Sequence, residues 1–281
     1  MRTVLASAPA LAPTDVLPVD FELPDDLSAT EPVEAAGGGR QDVRLMAARR
    51  SDDRLVHATF SQLGEFLEPG DLLVVNTSAT LAAAVPAVGV DDGLLVHLST
   101  ELPGGLWLVE LRLPDGAGTR PFFDGRSGRA LALPGGASVD LLAPFPADPS
   151  TTTAHVRLWF AAVRLPLALS GYLARFGQPI RYGYARRPLP LSAFQTVFAR
   201  EPGSAEMPSA GRPFTTGLVT ELVSRGVGIA PIVLHTGVSS AEPGEMPYPE
   251  RYRVPQETAE RVNAARRDGH RVVAVLSLIH I

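Results

Sequence analysis

Pro208-Ser209-Ala210-Gly211-Arg212-Pro213-Phe214-Thr215-Thr216 is the stretch on which the reading of this chain turns. Pro208, Gly211 and Pro213 each interrupt a regular element, so the stretch is a tight turn. Thr215 and Thr216 can cap a helix predicted over Gly217 to Arg225, with Gly226 as its stop. The free N–H groups of that first turn and the helix dipole favour an anion. Val227 to His235 then reads as a buried strand with a polar end. Turn, helix, strand and terminal histidine form a candidate edge of a ligand site, although an ordinary α/β loop fits the same local pattern.

Working outward, a second strand of the same kind precedes it. Asp71-Leu72-Leu73-Val74-Val75-Asn76 is apolar until Asn76, a position where α/β proteins often place ligand groups. Before it come a hairpin (Val43 to Ala48 against Leu55 to Phe60) and a short helix capped by Ser61 and closed by Pro69-Gly70. After the central stretch, Pro255 opens a helix through Arg267, Gly269 stops it, and Arg271 to Val275 is a strong strand. Ser192 and Gln195 have capping-box spacing for a helix reaching Ala199. A parallel α/β domain that ends on an apolar strand with no covering helix is incomplete, so its C-terminal part is expected to be missing.

Between these parts the texture changes. Ala84–Val90, Leu94–Thr100, Leu106–Leu113, Arg129–Leu133, Ser138–Leu142 and Ala154–Phe160 are six strand candidates separated by Gly/Pro/Asp turns. Helical patterning resumes at Leu165–Phe176. The expected architecture is an α/β domain, residues 1–83 and 165–281, interrupted by a small antiparallel six-stranded β-barrel at 84–164. Closure of that barrel removes edges that would otherwise invite aggregation.

Composition narrows the function classes. At 281 residues the chain has room for two domains, and 45% hydrophobic with 20% charged residues is globular. It has no Cys, which excludes disulfides, thiolate metal sites and Cys nucleophiles. The formal net charge of −5 argues against general adhesion to nucleic acid. No apolar run reaches membrane-spanning length, and the early Pro9, Pro13 and Pro18 break any secretory signal, so a cytoplasmic protein is expected. All 25 basic residues are Arg, a genome-composition signature that weakens the meaning of any one of them.

Individual sites follow. No nucleotide-binding glycine fingerprint, Walker loop or nucleophile elbow is present, and the six His residues lack metal-ligand spacing, so no metal is expected. His57, His97 and His155 alternate on strands and read as surface residues. His235 and Asn76 end buried strands and are equally balanced between site and framework roles. Glu250 is a candidate general base, although a lone loop Glu is usually solvated. Arg181, Arg186 and Arg187, with Tyr182 and Tyr184 for stacking, form a candidate phosphate-binding patch or a solvated surface.

Taken together, the motifs resemble those of the S-adenosylmethionine:tRNA ribosyltransferase-isomerases of queuosine biosynthesis. The carriers are Phe21-Glu22-Leu23-Pro24, Leu67 to Asn76, Phe194-Gln195-Thr196-Val197-Phe198-Ala199, Pro208-Ser209-Ala210-Gly211 with Phe214-Thr215, Leu234-His235-Thr236-Gly237, and Glu257 to Val275. They cover nearly the whole chain in order. The resemblance implies transfer and isomerisation of the ribosyl part of S-adenosylmethionine onto 7-aminomethyl-7-deazaguanine in the tRNA anticodon, giving epoxyqueuosine with adenine and methionine released. S-adenosylmethionine is then a ribosyl-donating substrate, no cofactor is bound permanently, and a monomer acting on the tRNA anticodon region is expected. It marks His235 and Glu250 as catalytic candidates, and Asn76, Ser209, Ala210, Gly211, Phe214, Thr215 and Gly237 as substrate-binding candidates.

The chain also differs from the family pattern. Thr77-Ser78-Ala79 stand where the family has Asp-Thr-Arg, and Arg212-Pro213 where it has Leu-His. The Gly-Thr-Phe segment after the strand histidine is missing at Val238-Ser239-Ser240, and Met-His-Ser-Glu becomes Pro247-Tyr248-Pro249-Glu250. Two alternatives therefore stand beside the resemblance: a divergent paralogue using S-adenosylmethionine or a nucleoside with another acceptor, and a non-catalytic RNA- or partner-binding protein.

Overall fold

The computed structural model describes residues 22, 24, 29–90, 93–145, 156–181, 187–238 and 249–275. In chain order the strands and helices begin with the hairpin β1 (Arg44–Arg49) and β2 (Arg54–Thr59), then β3 (Leu72–Asn76) and β4 (Ser78–Thr80). The next strands are β5 (Ala84–Pro86), β6 (Leu95–Glu101), β7 (Leu106–Asp115), β8 (Gly118–Pro121), β9 (Ala130–Leu133), β10 (Ala137–Phe145) and β11 (Leu158–Arg164). Helix α1 (Leu169–Phe176), β12 (Glu201–Ser204), α2 (Thr216–Ser224), β13 (Gly228–His235), β14 (Arg251–Arg253), α3 (Gln256–Arg267) and β15 (Val272–Val275) complete the order.

β3 is the centre of a sheet ordered β14-β13-β3-β15, in which β13 and β15 both run parallel to it. Its near-continuous burial follows from having a helix on each face. Leu73 and Val75 pack with Phe214, Leu218 and Leu222 on the α2 side, whereas Leu72 packs with Ala230 and Ala265 on the α3 side. Thr215 caps α2 through a bond from Leu218 N–H to its hydroxyl, 3.2 Å, and Gly226 takes the left-handed φ of 85° that ends it.

The antiparallel sheet β5-β6-β7-β11-β10-β9 curls until Val88 N–H reaches Ala132 C=O at 2.8 Å, which nearly closes a six-stranded barrel. Val96, Leu98, Val109, Leu111, Val139 and Leu141 fill its interior. Helix α1 plugs one end with Tyr172 and Leu173, and the Tyr172 hydroxyl donates to Pro134 C=O at 2.9 Å. The barrel meets the α/β part through Ala83, Ala84, Leu158, Ile180, Ala205 and Val238.

Several local expectations are corrected. The predicted helix from Ser192 to Ala199 is only a 3-10 turn over Leu191–Phe194. The Gln195 carboxamide instead brackets Thr80, accepting from its N–H at 3.0 Å and donating to its C=O at 2.8 Å, and this long-range pair outcompetes the capping box. Residues expected to form a loop after it make β12, parallel to β4. The short helix before β3 starts at Phe60 behind Thr59, not behind Ser61. The strand expected to end at Phe160 runs on to Arg164, so α1 begins at Leu169, four residues later than Leu165. β8 is a further strand the turn-rich sequence hid, paired with the end of β7.

His97 is the largest correction. It alternates with interior residues, as expected, but the outer face of the barrel is covered there and the residue is 1% exposed. His57 is exposed on β2. His155, Arg186, Tyr182, Tyr184, Phe21, Leu23, Ser239, Ser240, Pro247, Tyr248 and the segment 276–281 lie outside the described residues.

Candidate active site at the sheet edge

β3 and β13 end side by side, and the residues after them form one polar edge. Asn76 accepts from Ser78 N–H and Leu234 N–H, both at 3.0 Å, and donates to Leu234 C=O at 2.7 Å. Its carboxamide thus locks the two strand ends together. His235 closes β13, and its Nδ1 lies 2.7 Å from Ser78 Oγ. Ser78 Oγ is in turn 2.6 Å from Ser204 Oγ, which accepts from Thr236 N–H at 3.1 Å. The imidazole fits because residue 203 is glycine: a Cβ there would sit 2.2 Å from Nδ1. Ser78, Gly203 and Ser204 are the members of the candidate site that sequence reasoning missed, since the β4–β12 pairing brings them to His235.

Glu250 completes the edge. Its Oε1 accepts from Gly237 N–H at 2.9 Å. Burial pushes the Glu250 carboxyl above its ordinary value, with the Gly237 bond opposing. Burial also depresses the His235 imidazole, helped by Arg251 and Arg253 and opposed by Glu201. Burial thus disfavours the charged form of each group, raising the basicity of the carboxylate and lowering that of the imidazole.

The signature turn sits elsewhere. Ser209 and Ala210 lie on its surface side, Gly211 is buried, and Phe214 is 2% exposed between Phe60 and Phe198, with ring centroids 4.9 Å and 5.2 Å away. Phe214 anchors the turn to the core. The Thr215 hydroxyl donates to Gln41 Oε1 at 2.8 Å, so the N-terminal segment reaches the start of α2. Arg212 forks onto Glu34 at 2.9 and 3.2 Å, and Arg40 reaches Gln195 C=O and Ser192 C=O. The Arg212 contact holds Glu34 below its ordinary value although burial opposes it.

Arg40, Arg187, Arg212 and Glu34 line an open groove of about 310 Å³ beside this turn. Arg187 pairs with Glu31 at 3.3 Å. Arg181, the other described member of the candidate phosphate patch, donates to Gln178 Oε1 at 2.8 Å. No hydrogen bond among the described residues joins Ser209–Thr215 to His235. The structure therefore brings Asn76, His235, Gly237 and Glu250 together and places Ser209, Ala210, Gly211, Phe214 and Thr215 in a separate group. Among the described residues no group of three His, Asp or Glu side chains could hold a metal, and no helix is long and apolar enough to cross a membrane.

A mainly parallel sheet whose C-terminal edge carries the polar residues, interrupted by an antiparallel barrel, defines an α/β protein with a candidate site at the strand ends. The model of the queuosine biosynthesis protein family matches residues 17–277. S-adenosylmethionine:tRNA ribosyltransferase-isomerases from Thermotoga maritima and Desulforamulus reducens are 33% and 31% identical, each over 91% of this chain and 72% of the relative. The enzyme of the same description from Thermus thermophilus is 34% identical over the same shares. A crystal structure of the Thermotoga maritima S-adenosylmethionine tRNA ribosyltransferase matches 91% of this chain and 67% of its own at 26% identity and a TM-score of 0.38. This chain belongs to the S-adenosylmethionine:tRNA ribosyltransferase-isomerase family.

Proposed function

We propose that the chain transfers and isomerises the ribosyl moiety of S-adenosylmethionine onto 7-aminomethyl-7-deazaguanine in the tRNA anticodon, giving epoxyqueuosine and releasing adenine and methionine. Beyond family membership, the observation that carries this reading is the placement of Glu250 and His235 at one sheet edge, the Glu250 carboxylate held by Gly237 N–H and the His235 ring by Ser78, with burial disfavouring the charged form of each. The sulfonium acidifies the ribose carbon beside it, and a partly buried carboxylate of raised basicity is suited to remove that proton. Gly237 N–H orients the carboxylate. Asn76 holds the two strand ends in register. The N-terminus of α2, the turn Ser209 to Gly211 and the arginine-lined groove are the places for the anionic parts of donor and tRNA.

Adenine release from S-adenosylmethionine, followed by chromatography with and without tRNA bearing 7-aminomethyl-7-deazaguanine, tests the reading. Release that requires the tRNA is expected. Folded protein that never yields adenine sinks the enzymatic reading and leaves a binding protein. One observation favours a second reading: Arg212 stands in the segment where the family has Leu-His and is committed to Glu34. Adenine release that ignores this tRNA would support a divergent paralogue with another acceptor.

A further inference from the structure

The hydroxyl groups behind His235 decide which ring nitrogen carries its proton. Two short contacts are available, Ser204 Oγ to Ser78 Oγ at 2.6 Å and Ser78 Oγ to His235 Nδ1 at 2.7 Å. Each contact uses one proton. Ser78 and Ser204 are both fully buried, and among the described residues neither hydroxyl makes another contact that would take its proton. If Nδ1 is bare, the Ser204 hydroxyl donates to Ser78 and the Ser78 hydroxyl donates to Nδ1, so both protons are placed. If Nδ1 carries a proton, the ring fills one contact and one hydroxyl proton is stranded. Thr236 N–H adds direction, because it donates to Ser204 Oγ and leaves that oxygen free to donate onward. Stranding a buried hydroxyl proton shifts a two-state equilibrium by about tenfold or more.

We propose that Ser204 and Ser78 form a one-way hydroxyl relay that fixes neutral His235 as an Nε2–H donor. This rests on the reading that His235 belongs to the site. The ring faces Gly203 and Ser78 with its Nδ1 edge, and no partner among the described residues bonds Nε2. His235 then offers the substrate an N–H, suited to a ribose oxygen or a carboxylate. It cannot take a proton at Nε2 without first giving one up. The proton-abstracting role falls to Glu250, and Ser78 and Ser204 are positioning residues. Protonated imidazole would strand the same hydroxyl proton, which accords with the depressed basicity of His235.

Nitrogen-15 NMR of the whole protein labelled at histidine reads the tautomer directly, without any turnover. The expected wild-type spectrum shows Nε2 protonated and Nδ1 bare at neutral pH; a protonated Nδ1 overturns the proposal. Ser78→Ala removes the hydroxyl that touches the ring, so the Nδ1–H form should appear at about a tenth of the population or more. Ser78→Thr keeps a hydroxyl there and should retain the wild-type spectrum. A Ser78→Ala spectrum identical to wild type also overturns the relay. In the adenine assay Ser78→Ala is expected to lower kcat about tenfold with KM little changed. A relay seen by NMR in a protein that never releases adenine would refute the assigned reaction and leave the relay standing.

Discussion

The barrel wall buries a histidine against oxygen and the sheet edge half-buries one, yet they are built on opposite principles. At the barrel, His97 Nδ1 lies 3.2 Å from Glu110, and Arg112 and Arg157 each reach the same carboxylate at 2.8 Å. Thr119 takes two further bonds from Arg112. Burial works against the Glu110 charge, but the His97 bond and the surrounding cations outweigh it and hold the carboxyl at about 2. At the sheet edge the histidine ring meets the Ser78 hydroxyl, the Glu250 carboxylate accepts from the Gly237 N–H, and burial disfavours the charged form of both. A carboxylate saturated by cations is fixed in one charge state and serves the fold. A carboxylate whose charged form burial disfavours is readier to take up a proton, and that difference marks the sheet edge as the candidate site.

The sharpest way to break the comparison is Glu110→Gln. It removes the charge that two guanidiniums share and should cost about 3–5 kcal/mol in denaturant unfolding. A loss under about 1 kcal/mol would mean the barrel cluster is no framework. Gly203→Ala comes next: the new Cβ must displace the His235 ring, at about 1–3 kcal/mol of stability. Adenine release should fall about a hundredfold with it. Full activity in that variant would remove His235 from the site.

Acid and base act on the two carboxyls with opposite sign. Glu110 has its folded pKa depressed, so its stabilisation is complete above the ordinary carboxyl range and is lost as pH falls from about 4.5 toward about 2. Glu250 has its folded pKa raised, so its contribution is present below that range and lost as pH rises through the raised value. Glu250→Gln should therefore gain up to about 1 kcal/mol at pH 7 by thermal melting while abolishing adenine release. A stability loss at that pH would contradict the assignment. Smallest is Arg251→Ala, which breaks an exposed 3.1 Å pair with Glu101 and should change stability by about 0–1 kcal/mol. It should nonetheless raise the His235 pKa in an NMR titration, since Arg251 helps depress it.

What the sequence made legible follows the range of the interactions involved. β3, β13 and α2 stood out because apolar runs, a Thr cap and Gly226 are local signals. The barrel strands were visible through their turns, but β8, a short strand beyond the turn at Gly116, was not. His97 escaped its true environment because alternation tells which side of a strand a residue takes and says nothing of what covers that side. Gln195 does not cap a helix because Thr80, 115 positions away, offers its amide a better pair than the helix start does. The candidate site was half legible: strand-end logic found Asn76 and His235, and the family pattern drew attention to Glu250 and Gly237. Ser78 first drew notice as part of a departure from the family pattern, and its role emerges only where β12 sets Ser204, 126 positions away, beside it.

On the proposed function the open sheet edge, not the closed barrel cluster, receives the donor. Histidine-selective nitrogen-15 spectra of the intact protein, titrated with S-adenosylmethionine, distinguish the two. The His235 signals should shift in a saturable way while those of His97 stay where they are. Movement at His97 with His235 unchanged would place the donor elsewhere and overturn the proposal.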